Sequence, residues 1–234
     1  RQARDGGWNF NHNDALIDAP VCADPGSAAQ ARNAATGLAL LPYLGAGQTH
    51  KEGKFKKQVH AGLAYLIKHM KVDSSGTTGS WHETQGSMYS HGICAIAMCE
   101  AYAMTHDKEL LAPAQLSINY IVKAQDPIGG GWRYQPQQAG DTSVLGWQLM
   151  ALKSGHMAYL SVPKQSVAGA TKFLDAVQTK KGSQYGYTGP GTGQATTAVG
   201  LLSRMYLGWK HDHPALENGI AALDKIGPSK AGDM

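Results

Sequence analysis

The stretch YIVKAQDPIGGGWRY, residues 120–134, decides the fold predicted for this chain. It starts at the end of an amphipathic run at Ile121, continues through Gln125, and closes in a glycine-rich turn that carries Trp132. A similar order recurs at residues 62–81 and 171–187, and a fourth copy starts near Gly219. The copies lie roughly 50 residues apart, a period typical of repeat proteins whose units bury their apolar faces against one another.

Between these turns, two kinds of helix are predicted to alternate. The first kind is rich in Ala, Gly, Leu and Met and carries almost no charge; its members span residues 34–44, 92–104, 143–157 and 196–209. Helices that are apolar on nearly all sides are buried. The second kind has a single apolar stripe and a charged face, which is the pattern of a helix lying on a core. The sequence therefore predicts four helical hairpins, with an inner layer of helices wrapped by an outer layer.

Composition narrows the functional classes. The chain has 234 residues, of which 42% are hydrophobic and 16% charged, and these values suit one compact globular domain. The net charge of +4 is small and scattered, so we expect no nucleic-acid partner. No apolar run reaches the length of a membrane-spanning helix, so we expect no membrane span in this segment. The three cysteines form no Cys-x-x-Cys pair, and we expect small apolar thiols.

The start of the chain resembles the end of a repeat. Residues 5–8 read DGGW, which is the closing part of the motif without its preceding helix. We therefore expect this sequence to be a piece of a longer protein. Any targeting segment then lies outside it, and the compartment stays open.

The glycine-rich turns carry a family resemblance. With Gln125 and Trp132 in this arrangement, the chain resembles the squalene cyclase and protein prenyltransferase β-subunit superfamily, whose signature is a Gln–Trp repeat. It is similar, more closely, to the prenyltransferase/squalene-oxidase-repeat proteins of planctomycete bacteria, which are mostly of unknown function. The segments that carry this second likeness are residues 49–53, 88–92, 129–134, 140–143 and 146–148.

The resemblance implies an all-α fold, namely an α/α toroid (α/α barrel) of helical hairpin repeats that is partial or open. It also implies a bacterial protein. We expect a single α/α-toroid domain over residues 1–234, with repeats at about 31–90, 91–140, 141–193 and 194–234.

Five residues of the repeat are predicted to be structural. An aromatic ring in the turn can cover the end of the neighbouring hairpin. A glutamine side chain can bond the carbonyls that are left free where a helix ends. The residues assigned to these roles are Trp8, Trp81, Gln125, Trp132 and Gln178.

Two kinds of chemistry known in this superfamily lack their residues here. The cyclases that the chain resembles protonate an alkene with an Asp-x-Asp-Asp-Thr run, and residues 138–142 keep only Asp141 and Thr142 of it. Protein prenyltransferases hold zinc with an Asp-x-Cys pair and a later histidine, and Ser143 stands where the thiolate would be. A hydroxyl is a poor zinc ligand at neutral pH. We therefore expect no intact cyclase or zinc site, no bound metal and no cofactor.

Polar residues at the predicted starts of inner helices form the candidate ligand-binding site. They are His91, Arg133, Tyr134, Asp141 and Thr142. The free N–H groups of inner-helix starts face one end of a central cavity, where they favour an anionic or polar group. The alternative is that Asp141 is a helix N-cap and His91 a satisfied polar residue.

One carboxylate stands within an otherwise apolar inner helix. Glu100 falls inside the run 92–104, and a buried carboxylate needs a partner. We expect Arg204, on a later inner helix, or His91 to supply it, as a buried pair.

The leading functional hypothesis is a terpenoid cyclase/prenyltransferase-like repeat domain that binds a protein segment or an apolar, isoprenoid-like small molecule. The alternative is an enzyme acting on an isoprenoid or a polysaccharide at the inner-helix end of the central cavity. Its site would be built from His91, Arg133, Tyr134 and Asp141. A terpenoid site needs aromatic walls that stabilise carbocations, and only 3 Phe and 5 Trp are present. Substrate, catalysis and oligomeric state are not specified by the sequence.

Overall fold

The computed structural model of the chain describes residues 1–13 and 22–227. Within them the chain forms eight α-helices and two short antiparallel ribbons. The helices are α1 (Arg32–Gly45), α2 (Lys56–His69), α3 (Ser87–Thr105), α4 (Lys108–Ala124), α5 (Thr142–Met157), α6 (Lys164–Val177), α7 (Gln194–Tyr206) and α8 (Pro214–Ile226). The ribbons pair β1 (Lys71–Val72) with β2 (Gly79–Ser80), and β3 (Gln178–Thr179) with β4 (Gln184–Tyr185). The prediction of an all-α chain built from helical hairpins is confirmed.

The helices form two layers. Helices α1, α3, α5 and α7 pack side by side in chain order, and each also packs against the outer helix that follows it. The inner helix α3 has 13 of its 19 residues buried. The outer helix α2 buries a single stripe, which is Val59, Gly62, Leu63, Tyr65 and Leu66. The contrast in polarity between successive helices therefore corresponds to the two layers, as the sequence predicts.

Glycines let the inner helices approach closely. At Gly37 in α1, an added Cβ would lie 2.9 Å from Cγ2 of Ile93 and 3.2 Å from the backbone of Cys94. At Gly92 in α3, it would lie 2.6 Å from Nε2 of Gln148 in α5. Close-packed interiors do not tolerate separations this short. A side chain at either position would therefore force neighbouring atoms of the inner layer to shift.

Buried tryptophans close the outer helices. The indole Nε1 of Trp81 donates to the carbonyl of Leu66 at 2.7 Å, and that of Trp132 donates to the carbonyl of Ile121 at 2.8 Å. Both rings are fully buried, whereas Trp8 is only partly buried against the core. Leu66 and Ile121 lie in the last turns of α2 and α4, where carbonyls have no partner within the helix. The indole N–H, rather than the expected glutamine, bonds these carbonyls.

The glutamine of the best repeat copy links two hairpins. Nε2 of Gln125 donates to the carbonyl of Gly130 in its own turn at 2.7 Å, and to that of Ser166 in α6 at 2.9 Å. Gln178 lies in β3, where its backbone pairs with that of Tyr185. Among the described residues, its side chain has no hydrogen bond like that of Gln125. The two glutamines therefore differ in the contacts they make.

The prediction that Glu100 pairs with Arg204 or His91 is wrong. Its Oε1 accepts a hydrogen bond from Oγ of Ser154 in α5 at 2.6 Å, and its side chain is only partly buried. Arg204 instead donates to the carboxylate of Asp175 and, through Nε, to the hydroxyl of Tyr185 at 3.1 Å. Partial exposure and one hydroxyl satisfy Glu100, so it needs no cation.

Among the helices of residues 1–13 and 22–227, none combines the length and the apolar character needed to cross a bilayer. This agrees with the absence of a long apolar run in the sequence.

Candidate functional site

Asp141 lies at the start of the inner helix α5. Its Oδ1 accepts a hydrogen bond from the backbone N–H of Val144 at 2.8 Å, so the side chain caps the helix. Its own N–H donates to the carbonyl of Trp132 at 2.9 Å, which attaches the helix start to the preceding repeat turn. The residue is fully buried, and capping uses only one of its two carboxylate oxygens.

The second oxygen of Asp141 belongs to a chain of polar contacts. The hydroxyl of Tyr187 donates to Oδ2 at 3.1 Å, and the hydroxyls of Tyr187 and Tyr134 are 2.7 Å apart. Nε of Arg133 lies 3.8 Å from the same Oδ2. We call Arg133, Tyr134, Asp141 and Tyr187 the Asp141 cluster. It joins the turn of one repeat to the turn of the next.

The cluster combines aromatic faces, a cation and a carboxylate. The guanidinium carbon of Arg133 lies 5.5 Å from the ring centre of Tyr134 and 5.9 Å from that of Tyr187. These distances are in the range of cation–π contact. Tyr134 is 39% exposed and Tyr187 is 38% exposed, so both rings reach solvent above a carboxylate that does not. Nε of Arg133 is buried and makes no hydrogen bond.

Neighbouring residues hold the cluster in place. The ring centre of Tyr89 in α3 lies 6.2 Å from that of Tyr134, and its hydroxyl donates to Oγ of Ser143 at 2.9 Å. The hydroxyl of Thr142 donates to the carbonyl of Gly186 at 2.6 Å, and its N–H donates to the carbonyl of Tyr187 at 3.0 Å. Thr142 is fully buried. It therefore fixes the turn that carries Tyr187 rather than facing a ligand.

Burial sets the protonation behaviour of the cluster. It raises the pKa of Asp141 above its ordinary value, against the opposing effects of the Val144 N–H, the Tyr187 hydroxyl and Arg133. Burial also raises the pKa of the Tyr187 and Tyr89 hydroxyls, with the Tyr134 contact adding to the effect at Tyr187. Both phenols therefore stay protonated at neutral pH and can donate hydrogen bonds.

The structure does not bring His91 into the cluster. Its ring is fully buried, where Nδ1 accepts from the N–H of Trp81 at 3.3 Å and Nε2 donates to the carbonyl of Ser117 at 3.1 Å. The ring also contacts Tyr120 edge-on, with centres 4.6 Å apart. Burial lowers the pKa of His91 to about 3. Both nitrogens are engaged with the backbone, so this histidine matches the reading of a satisfied polar residue.

Sequence reasoning named Arg133, Tyr134, Asp141 and Thr142, and the structure places these four together. It missed Tyr187, although the turn aromatics at 185–187 were recognised as a repeat feature. It also missed Tyr89, which lies within the segment 88–92. A signal existed for Tyr187, because it stands in the closing turn of the repeat whose inner helix starts after Asp141.

A groove lies along the inner layer, close to the cluster in the chain. It lies between α5 and α7, has a volume of about 140 Å³, and begins at Ser143, the residue bonded to Tyr89. Its walls include Trp147, Met150 and Tyr206. The site therefore has a polar end at the start of α5 and an apolar, aromatic wall beyond it.

Over residues 1–13 and 22–227, no three His, Cys, Asp or Glu side chains come together in a group that could hold a metal ion. The residues available at the Asp141 cluster are one carboxylate, one guanidinium and phenol hydroxyls, which is not a ligand set that zinc prefers.

Comparison with known proteins shows the fold. No protein-family model matches the sequence, and no curated protein sequence matches it. The structure is similar to the α-1,6-mannanase GH76A of Salegentibacter sp. HEL1_6, with a TM-score of 0.55 and 11% sequence identity. The match covers 85% of this chain and 60% of the mannanase. The predicted α/α toroid of helical hairpins is thereby confirmed.

The mannanase was solved as an inactive variant in complex with α-1,6-mannotriose, with two neighbouring aspartates replaced by asparagine. The present sequence contains no two consecutive acidic residues. The Asp141 cluster therefore has no second carboxylate beside Asp141 in the chain.

Proposed function

We propose that this chain is an α/α-toroid domain that binds a carbohydrate at the Asp141 cluster without cleaving it. The observation that carries this proposal is the continuous contact from Tyr134 through Tyr187 to the buried carboxylate of Asp141. The two partly exposed rings offer apolar surface, and their hydroxyls and the guanidinium offer directional polar partners. The buried carboxylate of Asp141 orients the Tyr187 hydroxyl. A sugar presents both kinds of surface, since its C–H faces are apolar and its rim carries hydroxyls.

The groove between α5 and α7 adds apolar and aromatic surface close to the cluster. Its walls include Trp147 and Tyr206, and its volume of about 140 Å³ accommodates part of a sugar ring rather than a whole unit. Ligand sites are usually concave and largely apolar, with a few convergent polar groups. The cluster and the groove together have this composition.

Binding is favoured over hydrolysis because the Asp141 cluster contains one carboxylate rather than two. Glycosidases generally use a pair of carboxyl groups, one as acid and the other as base or nucleophile. Asp141 provides one, and its Oδ1 is already engaged as the cap of α5. The likeness to a mannanase supports a polysaccharide ligand only through the fold that the two proteins share.

The sequence also suggests other ligands, a superfamily and a single domain, and each of these is a proposal. An apolar, isoprenoid-like ligand or a protein segment fits the cluster less well, because the exposed rings carry phenol hydroxyls and lie beside a guanidinium. The Gln–Trp turns favour membership of the squalene cyclase and prenyltransferase superfamily, within a bacterial protein. Residues 1–234 would then form one domain.

The proposal is tested by a panel of oligosaccharides that includes α-1,6-mannotriose, cellotriose and chitotriose. Each is titrated into the wild-type chain and into the Tyr187→Phe variant, with calorimetric detection. Tyr159→Phe is the matched control, because Tyr159 is 91% exposed and lies beyond the far end of α5. We expect one class of sugar to bind, Tyr187→Phe to weaken it about tenfold, and Tyr159→Phe to leave it unchanged. Absence of binding throughout the panel overturns the proposal, and release of shorter sugars shows hydrolysis instead.

A further inference from the structure

A second pocket lies at the opposite end of the inner layer. It has a volume of about 320 Å³ and is formed by the second half of α5, the start of α6 and the end of α7. We call it the α6 pocket, and its walls are Leu149, Leu152, Val162, Val167, Tyr206 and Leu207. It lies apart from the Asp141 cluster, since its nearest residue on α5, Leu149, is eight residues or about 12 Å of helix from Asp141. It shares Tyr206 with the far end of the groove.

Basic side chains surround this apolar pocket. Lys153, His156 and Lys164 complete its lining. In the part of the chain that the structure describes, none of the three makes a side-chain hydrogen bond or an ion pair. Lys164 and His156 are exposed and Lys153 is half-buried. The pocket therefore combines an apolar interior with a rim at which Lys153 and Lys164 have no ion-pair partner among residues 1–13 and 22–227.

The start of α6 adds a positive partial charge at the rim of the pocket. Its N-cap is Pro163, which provides no capping side chain, and its first turn contains no acidic residue. The first N–H groups of a helix attract negative charge, and here that end of the helix opens on the pocket through Lys164. Charge on the rim and the helix terminus thus favour the same kind of group, an anion.

We propose that the α6 pocket binds a free fatty acid, with the acyl chain between α5 and α7 and the carboxylate at Lys153 and Lys164. The apolar walls remove the chain from water, which contributes about 0.8 kcal/mol for each buried methylene group. At about 30 Å³ for a group the size of a water molecule, the pocket holds on the order of ten carbons. A carboxylate meets two unpaired ammonium groups, with which it forms charge-assisted hydrogen bonds.

The volume and the charge together select this ligand class. A cationic amphiphile of the same length would place its charge against Lys153 and Lys164. A short carboxylate would satisfy the rim and leave the apolar walls in water. The pocket thus predicts a preference for a ligand that is both anionic and long-chained.

Calorimetric titration of the wild-type chain with dodecanoate, below its micelle concentration, tests this inference. Dodecyltrimethylammonium has the same chain with the opposite charge, and butanoate has the same head without the chain. We expect dodecanoate to bind with one site per chain and the two comparison compounds to bind at least tenfold more weakly. No binding of dodecanoate, or equal binding of both twelve-carbon compounds, overturns the inference.

Two pairs of variants locate the site. Lys153→Met/Lys164→Met removes the two charges and keeps unbranched side chains, and we expect it to weaken dodecanoate at least tenfold. Lys57→Met/Lys68→Met makes the same change at exposed positions on α2 and should leave binding unchanged. Both double variants alter solvent-accessible charges, and circular dichroism would check that each variant folds. An equal loss in the two pairs contradicts a specific site.

Two further measurements distinguish a free fatty acid from a membrane lipid, and the α6 pocket from the Asp141 cluster. Anionic phosphatidylglycerol vesicles present acyl chains in a membrane, and binding to vesicles without binding of free dodecanoate overturns the inference. Tyr187→Phe, which alters the Asp141 cluster, should leave dodecanoate binding unchanged. Fatty-acid binding at the α6 pocket is therefore tested separately from carbohydrate binding at the Asp141 cluster.

Discussion

The backbone N–H of Trp81 donates to Nδ1 of His91 at 3.3 Å, and this contact fixes the repeat turn on the inner helix that follows it. The same link recurs in other repeats with a threonine hydroxyl as the acceptor. The corresponding pairs are Trp8 with Thr36, at 2.9 Å, and Tyr185 with Thr197, at 3.1 Å. His91 therefore holds a structural position in the repeat, which explains why it lies apart from the Asp141 cluster.

Stability should fall with acidification because of His91. Burial lowers its pKa from 6.5 in the unfolded chain to about 3 in the native protein. Between these values the unfolded chain binds more protons, so the free energy of unfolding decreases by up to about 1.4 kcal/mol for each pH unit lost. Urea unfolding at pH 7, 6 and 5 measures this slope. His91→Thr should be less stable at pH 7 and show a shallower slope, whereas equal slopes in both proteins would contradict the assignment.

Trp132→Ala should lower the free energy of unfolding by roughly 3–5 kcal/mol, as for other large buried aromatics. The loss combines a cavity with the missing hydrogen bond to the carbonyl of Ile121. Trp8→Ala is the comparison, because this ring is only partly buried and should cost less. Chemical denaturation measures both variants, and equal losses would show that the turn aromatics do not differ in this way.

Gly37→Ala should destabilise the protein by roughly 1–3 kcal/mol through overpacking between α1 and α3. The new Cβ would meet Ile93 and the backbone of Cys94 at close range. Gly45→Ala is the control in the same helix, since no atom lies within 4 Å of its added Cβ. We expect Gly45→Ala to be neutral or slightly stabilising, as alanine is the better helix former. Thermal midpoints compare the two, and the reverse order would contradict close packing at Gly37.

The layering of the fold was predictable because it depends on local patterns. The period near 50 residues, the uncharged inner runs and the stripe at Val59, Leu63 and Leu66 are properties of short segments. The side chain of the turn that bonds each helix end was not predictable. Whether an indole or a glutamine bonds a helix end depends on the direction of each side chain, and Trp81 and Gln125 could exchange roles without changing the spacing.

The site was predictable in part for the same reason. Arg133, Tyr134 and Asp141 lie within ten residues of one another, so their proximity follows from the chain itself. Tyr187 comes from the next repeat, and its approach depends on how two hairpins pack. The partner of Glu100 was missed in the same way, because the rotation of one inner helix against another is not encoded in a local pattern.

Asp141→Ala should cost about 0.5–2 kcal/mol of stability as a lost N-cap. Asp141→Ser keeps a capping oxygen and should remain within about 0.5 kcal/mol of the wild type, since serine and aspartate cap helices about equally well. The difference in thermal midpoint between the two variants measures the cap, because both variants lose Oδ2. Equal destabilisation by alanine and serine would show that the carboxylate matters for the fold in another way.

The central claim is that the second oxygen of Asp141 positions the Tyr187 hydroxyl for a carbohydrate ligand. Its most direct test is calorimetric titration of the bound sugar into the wild type and into the Asp141→Ser variant, which preserves the cap. We predict that Asp141→Ser folds with a nearly unchanged thermal midpoint and binds the sugar at least tenfold more weakly. Equal affinity in the two proteins would contradict the claim and leave Asp141 with a capping role alone.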